Sequence, residues 1–182
     1  MKQPLSRLRR LSAADRRASA RIHSIDGNAV TDVILAVPAM AFGTYGMPLT
    51  ILLYLVYFGW RAVLPMSLAS LTTVAITEQL KKRVARRRPH HESIGKRKFN
   101  LRGLLKNHAF PSGDTAQAAS VATTCYFLAQ GNPAFLLCVP AAALGRVYFG
   151  AHWIGDVLAG ALIGGVVAVV SFYLSSFAQP SM

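Results

Sequence analysis

Long apolar segments separated by two strongly basic blocks dominate this sequence and limit the folds open to it. The apolar segments cover residues 29–46, 47–60, 62–80, 113–129, 134–149 and 153–176. Of the 182 residues, 53% are hydrophobic, yet the net charge is +13 and nearly all of it lies outside these segments. Water-soluble domains seldom separate charge from apolar residues in this way, whereas membrane proteins do so because the bilayer is their solvent.

The apolar segments are too long and too continuous for barrel strands, and only helices or closed barrels can cross a bilayer. The sequence therefore predicts an all-α, multi-pass transmembrane bundle of five or six spans. The number is open because residues 29–46 contain Asp32 and Pro38 and could either cross the membrane or lie in its interface. We expect the protein to be integral to the cell membrane or an inner membrane.

The first basic block, residues 1–28, is expected to be an N-terminal arm that is disordered or lies on the membrane surface. The sharper alternative is an amphipathic helix in the interface. Residues 29–178 contain no internal repeat and are predicted to form a single membrane-embedded domain. The second basic block, residues 81–110, joins two of its apolar segments.

A strongly basic chain can bind nucleic acid, but the basic blocks of this chain flank apolar segments and contain no nucleic-acid-binding module. Basic residues in that position commonly contact lipid headgroups. We therefore expect membrane lipids as partners, and no nucleic acid. Cys125 and Cys138 lie within apolar segments, so we expect packing residues rather than a disulfide or a metal site.

A histidine and an aspartate near the last apolar segment are the first candidates for chemistry. His152 and Asp156 are four residues apart, so on a helix they share one face. An aspartate that accepts from one imidazole nitrogen selects the tautomer and leaves the other nitrogen free to attack. Arg146 precedes them, at the end of an apolar segment. Taken alone, the pair could also be structural and only satisfy itself at a helix start.

Two further polar clusters lie at the ends of apolar segments. In the first, Ser112 can cap a helix and Gly113 permits close approach of a ligand to amides that bind anions. In the second, Arg88 can bind two phosphate oxygens and Lys81 adds a point charge. Taken alone, the first is also typical of an ordinary helix start, and the second of the positive flank of a membrane span.

The three clusters are expected to meet at one face of the membrane. The segment that begins at residue 113 must leave from the face occupied by the preceding loop, and the segment that ends near residue 149 must return to it. Two cations, a helix N-terminus, a third cation and a histidine then surround one pocket. Phosphoryl transfer requires charge neutralisation and an in-line nucleophile, and this pocket would supply both.

In these three clusters the sequence resembles the type 2 phosphatidic acid phosphatase family, relatives of the vanadium haloperoxidases. The family's first motif is a lysine, six residues and Arg-Pro, and it matches Lys81 to Pro89. The second, Pro-Ser-Gly-His, matches Pro111 to Asp114. The third, Ser-Arg, five residues, His, three residues and Asp, matches Gly145 to Asp156. All three occur in order, and the resemblance covers roughly residues 45–175.

The resemblance implies a role for each residue of the pocket. His152 would attack phosphorus and form a phosphohistidine, and Asp156 would orient the imidazole. The phosphoryl oxygens would be held by these groups: Lys81, Arg88, Arg146 and the backbone of Ser112 and Gly113. Neither a metal nor a cofactor is implied.

Two positions depart from the family's motifs. Gly145 replaces a serine and removes one hydrogen bond. Asp114 replaces the histidine that is expected to protonate the leaving oxygen, and an aspartate can donate only when protonated. His108, His90 or His91 could serve instead, or the leaving group could need little help, as when a diphosphate expels phosphate.

The function implied is hydrolysis of a phosphorylated lipid: phosphatidate, phosphatidylglycerophosphate or a prenyl diphosphate. Asp114 favours the diphosphates slightly. Two alternatives are a lipid-to-lipid phosphotransferase with the same pocket and an inactive relative that binds anionic lipid. The membrane face is open, because relatives usually place this pocket on the outer or lumenal face. The Lys/Arg-rich residues 81–106 instead indicate the cytoplasm.

Overall fold

The computed structural model describes residues 3–43, 46–90, 94–101 and 107–178, with side chains from Ser12 onward. Over these residues the chain is helical and contains no strand, which confirms the all-α prediction. The helices are α1 Gln3–His23, α2 Ala29–Ala41, α3 Met47–Phe58, α4 Val63–Val84, α5 Gly113–Leu128, α6 Cys138–Tyr148 and α7 Ile154–Ala178. Two 3-10 turns, Gly59–Ala62 and Pro133–Leu137, precede α4 and α6.

Local signals explain where several helices begin. Asn28 accepts a hydrogen bond from the Thr31 amide at 2.9 Å and starts α2. Ser112 caps α5 by accepting from the Thr115 amide at 3.4 Å. Pro48 stands in the first turn of α3, where a helix needs no amide hydrogen bond from it. These caps satisfy amides that have no partner inside their own helix.

Small residues bring α5 and α7 into close contact. A Cβ atom placed on Gly160 would lie 2.4 Å from the Ser112 carbonyl oxygen, and one on Gly164 would lie 1.9 Å from that of Ala116. Helices in membranes commonly pack through such small residues, because they let the backbones approach. The contact holds the N-terminus of α5 against that of α7, so two of the predicted site segments lie side by side.

Helices α2 and α3 together run once along the bundle. At one end, the Tyr148 hydroxyl donates to Asp32 of α2 at 2.7 Å. At the other, the rings of Phe58 in α3 and Phe135 lie 5.7 Å apart. Since Phe135 and Tyr148 stand at opposite ends of residues 133–148, the broken helix α2–α3 runs antiparallel to that segment over its whole length.

The outer surface of the bundle is apolar. Val56 is 77% exposed, Leu71 71% and Phe177 84%. Of the described helices, Met47–Val84 and Ile154–Ala178 are long and apolar enough to cross a membrane, and Ala29–Ala41 and Pro133–Tyr148 are apolar but shorter. The surface is that of a membrane protein. Five or six spans remains a prediction.

The N-terminal arm, which the sequence predicted to be disordered or to lie on the membrane surface, is helical where the structure describes it. Residues 3–23 form α1, and Ser19 and His23 on one face of it are fully buried. Arg16, Arg17 and Arg21 are exposed on α1. The helix is amphipathic: Ser19 and His23 face the protein, and these arginines face away from it.

Candidate active site

A cavity of about 240 Å³ lies where α4, α5 and α6 end or begin. Six of the eight predicted site residues line it: Lys81, Arg88, Gly113, Asp114, Arg146 and His152. The other two, Ser112 and Asp156, are fully buried and do not line it. The structure therefore brings the three sequence clusters together, as expected from the direction of the helices.

His152 is held by one contact at each ring nitrogen. Its Nδ1 lies 2.8 Å from the Ala109 carbonyl oxygen, and its Nε2 lies 3.1 Å from Nη1 of Arg88. A carbonyl only accepts and a guanidinium only donates, so both contacts select the tautomer with the proton on Nδ1. Nε2 therefore carries no proton, and its lone pair accepts from Arg88 at the wall of the cavity that both residues line.

Asp156 contacts His152 less directly than the sequence predicted. Its Oδ2 lies 3.8 Å from Nδ1 of His152, too far for a hydrogen bond. The carboxylate instead accepts from the Trp153 amide at 2.9 Å and from Nη1 of Arg86 at 2.7 Å. In this structure the Ala109 carbonyl selects the tautomer, and Asp156 fixes the loop on which the histidine is carried.

Arg88 is the most strongly fixed of the three cations in the cavity. Its Nε donates to the Asn107 carbonyl at 2.9 Å, its Nη2 to the Asn107 side chain at 2.5 Å, and its Nη1 to the Ala151 carbonyl at 2.6 Å. The guanidinium thus joins the segment before α5 to the loop of His152. This rigidity is what oxyanion stabilisation requires, because a donor held in advance needs no reorganisation.

The other two cations each pair with a carboxylate. Nη2 of Arg146 lies 2.6 Å from Oδ2 of Asp114, and Nζ of Lys81 lies 2.6 Å from Oε1 of Glu78. Lys81 also faces the start of α5, since a Cβ on Gly113 would lie 3.1 Å from its Nζ. Both carboxylates line the cavity, so an incoming phosphate would compete with them for the cations.

The histidines proposed as substitutes for Asp114 are placed poorly for that role. His90 and His108 are exposed, and neither lines the cavity. His91 lies outside the described residues. Among the described residues that line the cavity, Asp114 and Glu78 are the carboxylic acids.

Sequence reasoning missed Arg86, Asn107 and Glu78. Arg86 was one of many basic residues in its block, and nothing local distinguished it as the partner of Asp156. Glu78 carried a usable signal, because a glutamate three residues before a lysine on a helix can pair with it. Asn107 binds Arg88 through its side chain and its carbonyl, and no motif predicted it.

Close packing against α2 explains why position 145 is a glycine. A Cβ there would lie 2.5 Å from the Leu35 carbonyl oxygen and 2.8 Å from Cβ of Ala39. Helix α2 therefore occupies the space that the family's serine would need. The close approach also places the Ala39 carbonyl 3.4 Å from Nη1 of Arg146.

His152 lies in the loop between α6 and α7, where its electrostatic surroundings favour the neutral form. Burial, together with the charges of Arg146 and Arg88, holds the pKa of His152 well below its usual value of 6.5. The imidazole is therefore neutral near neutral pH, as a nucleophile must be.

This shift predicts a stability change with pH. Once the pH falls below about 6.5, the unfolded chain binds a proton at His152 that the folded chain does not, so stability is lost on acidification. We expect the Tm in detergent to fall below about pH 6.5, and to fall less in His152→Asn. His23, whose pKa is lowered chiefly by burial, titrates in both proteins. An equal fall of Tm with pH in wild type and His152→Asn would contradict the lowered pKa of His152.

The described residues contain no group of three or more His, Cys, Asp or Glu side chains that could hold a metal ion. The polar groups converging on His152 are cations with their carboxylate partners. Such an arrangement suits a phosphate anion.

Comparisons with known proteins agree with this geometry. The model of the PAP2 superfamily matches residues 62–180. The crystal structure of Aquifex aeolicus LpxE matches with a TM-score of 0.68 and 27% sequence identity. The match covers 86% of this chain and 93% of the LpxE chain. The Bacillus subtilis structure described as the first transmembrane PAP2-type phosphatidylglycerolphosphate phosphatase has a TM-score of 0.73 and 21% identity, over 94% of this chain and 89% of that one. No curated protein matches the sequence significantly.

Proposed function

The chain belongs to the PAP2 superfamily, as its three motifs predicted, and we propose that it is a membrane lipid phosphatase that works through a phosphohistidine on His152. The observation that carries this proposal is the position of His152: its Nδ1 lies 2.8 Å from a carbonyl oxygen that can only accept, and its Nε2 lies 3.1 Å from a fixed guanidinium. Lys81 and Arg146 add two further cations to the same cavity. The pair of solved structures, a phosphatidylglycerolphosphate phosphatase among them, supports a phosphorylated lipid as substrate.

The reaction balances in two steps. Nε2 attacks phosphorus, the bond from phosphorus to the lipid oxygen breaks, and Arg88, Lys81 and Arg146 hold the phosphoryl oxygens. The leaving oxygen takes a proton from Asp114. Water then attacks the phosphohistidine, Asp114 takes the proton of that water, and phosphate leaves with His152 neutral again.

The pairing of Asp114 with Arg146 gives a way for the carboxyl group to gain its proton. Nη2 of Arg146 and Oδ2 of Asp114 lie 2.6 Å apart before substrate binds. A phosphate in the cavity would draw Arg146 to its own oxygens and release Asp114 to exchange a proton with the leaving oxygen. The departure from the family's histidine is thereby compatible with proton donation.

Replacing Asp114 by asparagine should therefore lower kcat by on the order of 10²-fold on a lipid monophosphate. On a prenyl diphosphate the loss should be smaller, because phosphate is a better leaving group than a lipid alcohol. Steady-state phosphate release on both substrates measures this. An equal loss on both would contradict proton donation.

The Asp114→His variant separates an enzyme from a lipid-binding protein. If wild type is inactive and Asp114→His gains activity, the natural protein binds lipid without hydrolysing it.

The function itself is tested by phosphate release from purified protein with lysophosphatidate, phosphatidylglycerophosphate and prenyl diphosphate. We expect release from at least one, its loss in His152→Ala, and no change in His108→Ala, whose side chain is exposed outside the cavity. Equal release by wild type and His152→Ala from every substrate would refute the proposal. Free phosphate formed without a lipid acceptor would argue against a phosphotransferase.

We further propose five membrane spans, with the N-terminal arm and the cavity on the cytoplasmic side. The broken helix α2–α3 crosses once, and α4, α5, residues 133–148 and α7 supply the other four. Arg97 of the second basic block donates to the carbonyl of His23, in the first basic block, at 3.1 Å. Both basic blocks therefore lie on the same side of the membrane. A face that collects the basic residues is expected to be cytoplasmic.

Cysteine labelling with an impermeant reagent tests this topology. In a background without Cys125 and Cys138, single cysteines at the exposed positions 20 and 98 should react from the same side, and one at position 61 from the other. For a cytoplasmic site, only position 61 should react in intact cells. Reaction of 20 and 98 from opposite sides would contradict the single passage of α2–α3.

A further inference from the structure

One face of α1 carries a polar stripe whose members are spaced four residues apart: Asp15, Ser19 and His23. A spacing of four places side chains above one another on a helix. Ser19 and His23 are fully buried and Asp15 is partly buried, whereas Arg16 and Arg17 beside them are exposed. The stripe faces the protein, and the mechanism above makes no use of it.

Each member of the stripe contacts residues 152–155, which run from the nucleophile into the first turn of α7. Oδ1 of Asp15 accepts from the Gly155 amide at 2.9 Å, and Oγ of Ser19 accepts from the Ile154 amide at 2.9 Å. Nε2 of His23 lies 3.4 Å from the carbonyl oxygen of His152 itself. Helix α1 therefore satisfies the backbone of residues 152–155 from outside that segment.

Asp15 also reaches the site by a second route. Its Oδ2 pairs with Nη2 of Arg86 at 2.6 Å, and Nη1 of the same guanidinium pairs with Asp156 at 2.7 Å. Asp156 in turn accepts from the Trp153 amide at 2.9 Å. Three consecutive amides, at residues 153, 154 and 155, thus end on oxygens of Asp156, Ser19 and Asp15.

We propose that α1 positions the nucleophile, with Asp15 and Ser19 as positioning residues that act through residues 152–155, where the loop of His152 passes into α7. This role rests on the proposed function. Two hydrogen bonds from described residues hold the imidazole ring, so the direction of Nε2 also depends on where the backbone of His152 lies. A displacement of about 1 Å at a reacting atom can lower a rate on the order of 100-fold. Lys81 and Arg146, two of the cations expected to bind the phosphate, are paired with Glu78 and Asp114 on helices other than α1, so substrate binding should depend little on the stripe.

The test compares Asp15→Asn and Ser19→Ala with Asp26→Asn. Asp26 is an exposed carboxylate that follows α1 and accepts from the Lys96 amide, away from α7. We expect kcat to fall about tenfold in Asp15→Asn and about threefold in Ser19→Ala, with KM within about twofold of wild type in both. Asp26→Asn should match wild type. The milder Ser19→Ala variant decides the matter if Asp15→Asn does not fold.

A double-mutant cycle separates positioning from general destabilisation. If Asp15 acts partly through Arg86, the Asp15→Asn change should cost less kcat in an Arg86→Gln background than in wild type. Full additivity would limit the positioning role to the direct contacts with the amides of residues 154 and 155. Unchanged kcat in folded Asp15→Asn and Ser19→Ala would overturn the positioning role while leaving the proposed function intact. A wild type that releases no phosphate from any lipid tested would overturn the proposed function, and the positioning role with it.

Discussion

The His152→Asn variant should release phosphate at least about 10⁴-fold more slowly than wild type. When residues act as a catalytic unit, removing the nucleophile alone costs about as much rate as removing all of them. Asparagine cannot attack phosphorus, yet its amide can still donate to the Ala109 carbonyl that now accepts from Nδ1. The fold should therefore survive the change. Single-turnover release from the best lipid substrate, with Tm measured on the same preparation, gives both quantities.

The matched control for this variant is His108→Asn, since that exposed histidine lies near the cavity in sequence without lining it. It should keep the wild-type rate. A His152→Asn protein that is folded and retains more than about a tenth of the wild-type rate would show that another group attacks phosphorus.

The Arg88→Lys variant should lose on the order of 10²- to 10³-fold in kcat/KM although the charge is kept. Lysine cannot reproduce the planar guanidinium that joins Asn107 to Ala151 while facing Nε2 of His152. The loss should lie mainly in kcat, because the phosphate would still meet a cation, but one without fixed direction. Arg87→Lys, at an exposed neighbour, is the control. An Arg88→Lys enzyme with wild-type kcat would mean that charge alone suffices.

The helices and the meeting of the clusters followed from the sequence because both depend on local or one-dimensional information. Apolar segment lengths set the helices, and the alternation of spans put Lys81, Gly113 and Arg146 at one end of the bundle. The motif spacing then identified His152 without any knowledge of packing. The described helices begin and end close to the apolar segments from which they were predicted.

The details that the sequence did not reveal depend on backbone positions or on pairs far apart in the chain. The partner of Nδ1 is the carbonyl of Ala109, and no residue type signals a carbonyl. Asp114 pairs with Arg146 across two different helices. The stripe on α1 contains ordinary polar residues among arginines and alanines, so its residue types do not distinguish it from the solvated side of a surface helix, and only its contacts with residues 154 and 155 do.

The central claim, hydrolysis through a covalent phosphohistidine, is tested most directly by trapping that intermediate. Wild-type protein is mixed with ³²P-labelled phosphatidylglycerophosphate or prenyl diphosphate, quenched in alkali within the first turnover, digested and mapped by mass spectrometry. The account predicts a phosphoryl group on Nε2 of His152, stable to alkali and labile to acid, and absent from His152→Asn. Phosphate release by an enzyme that carries its label on another residue, or on none at any quench time, would contradict it.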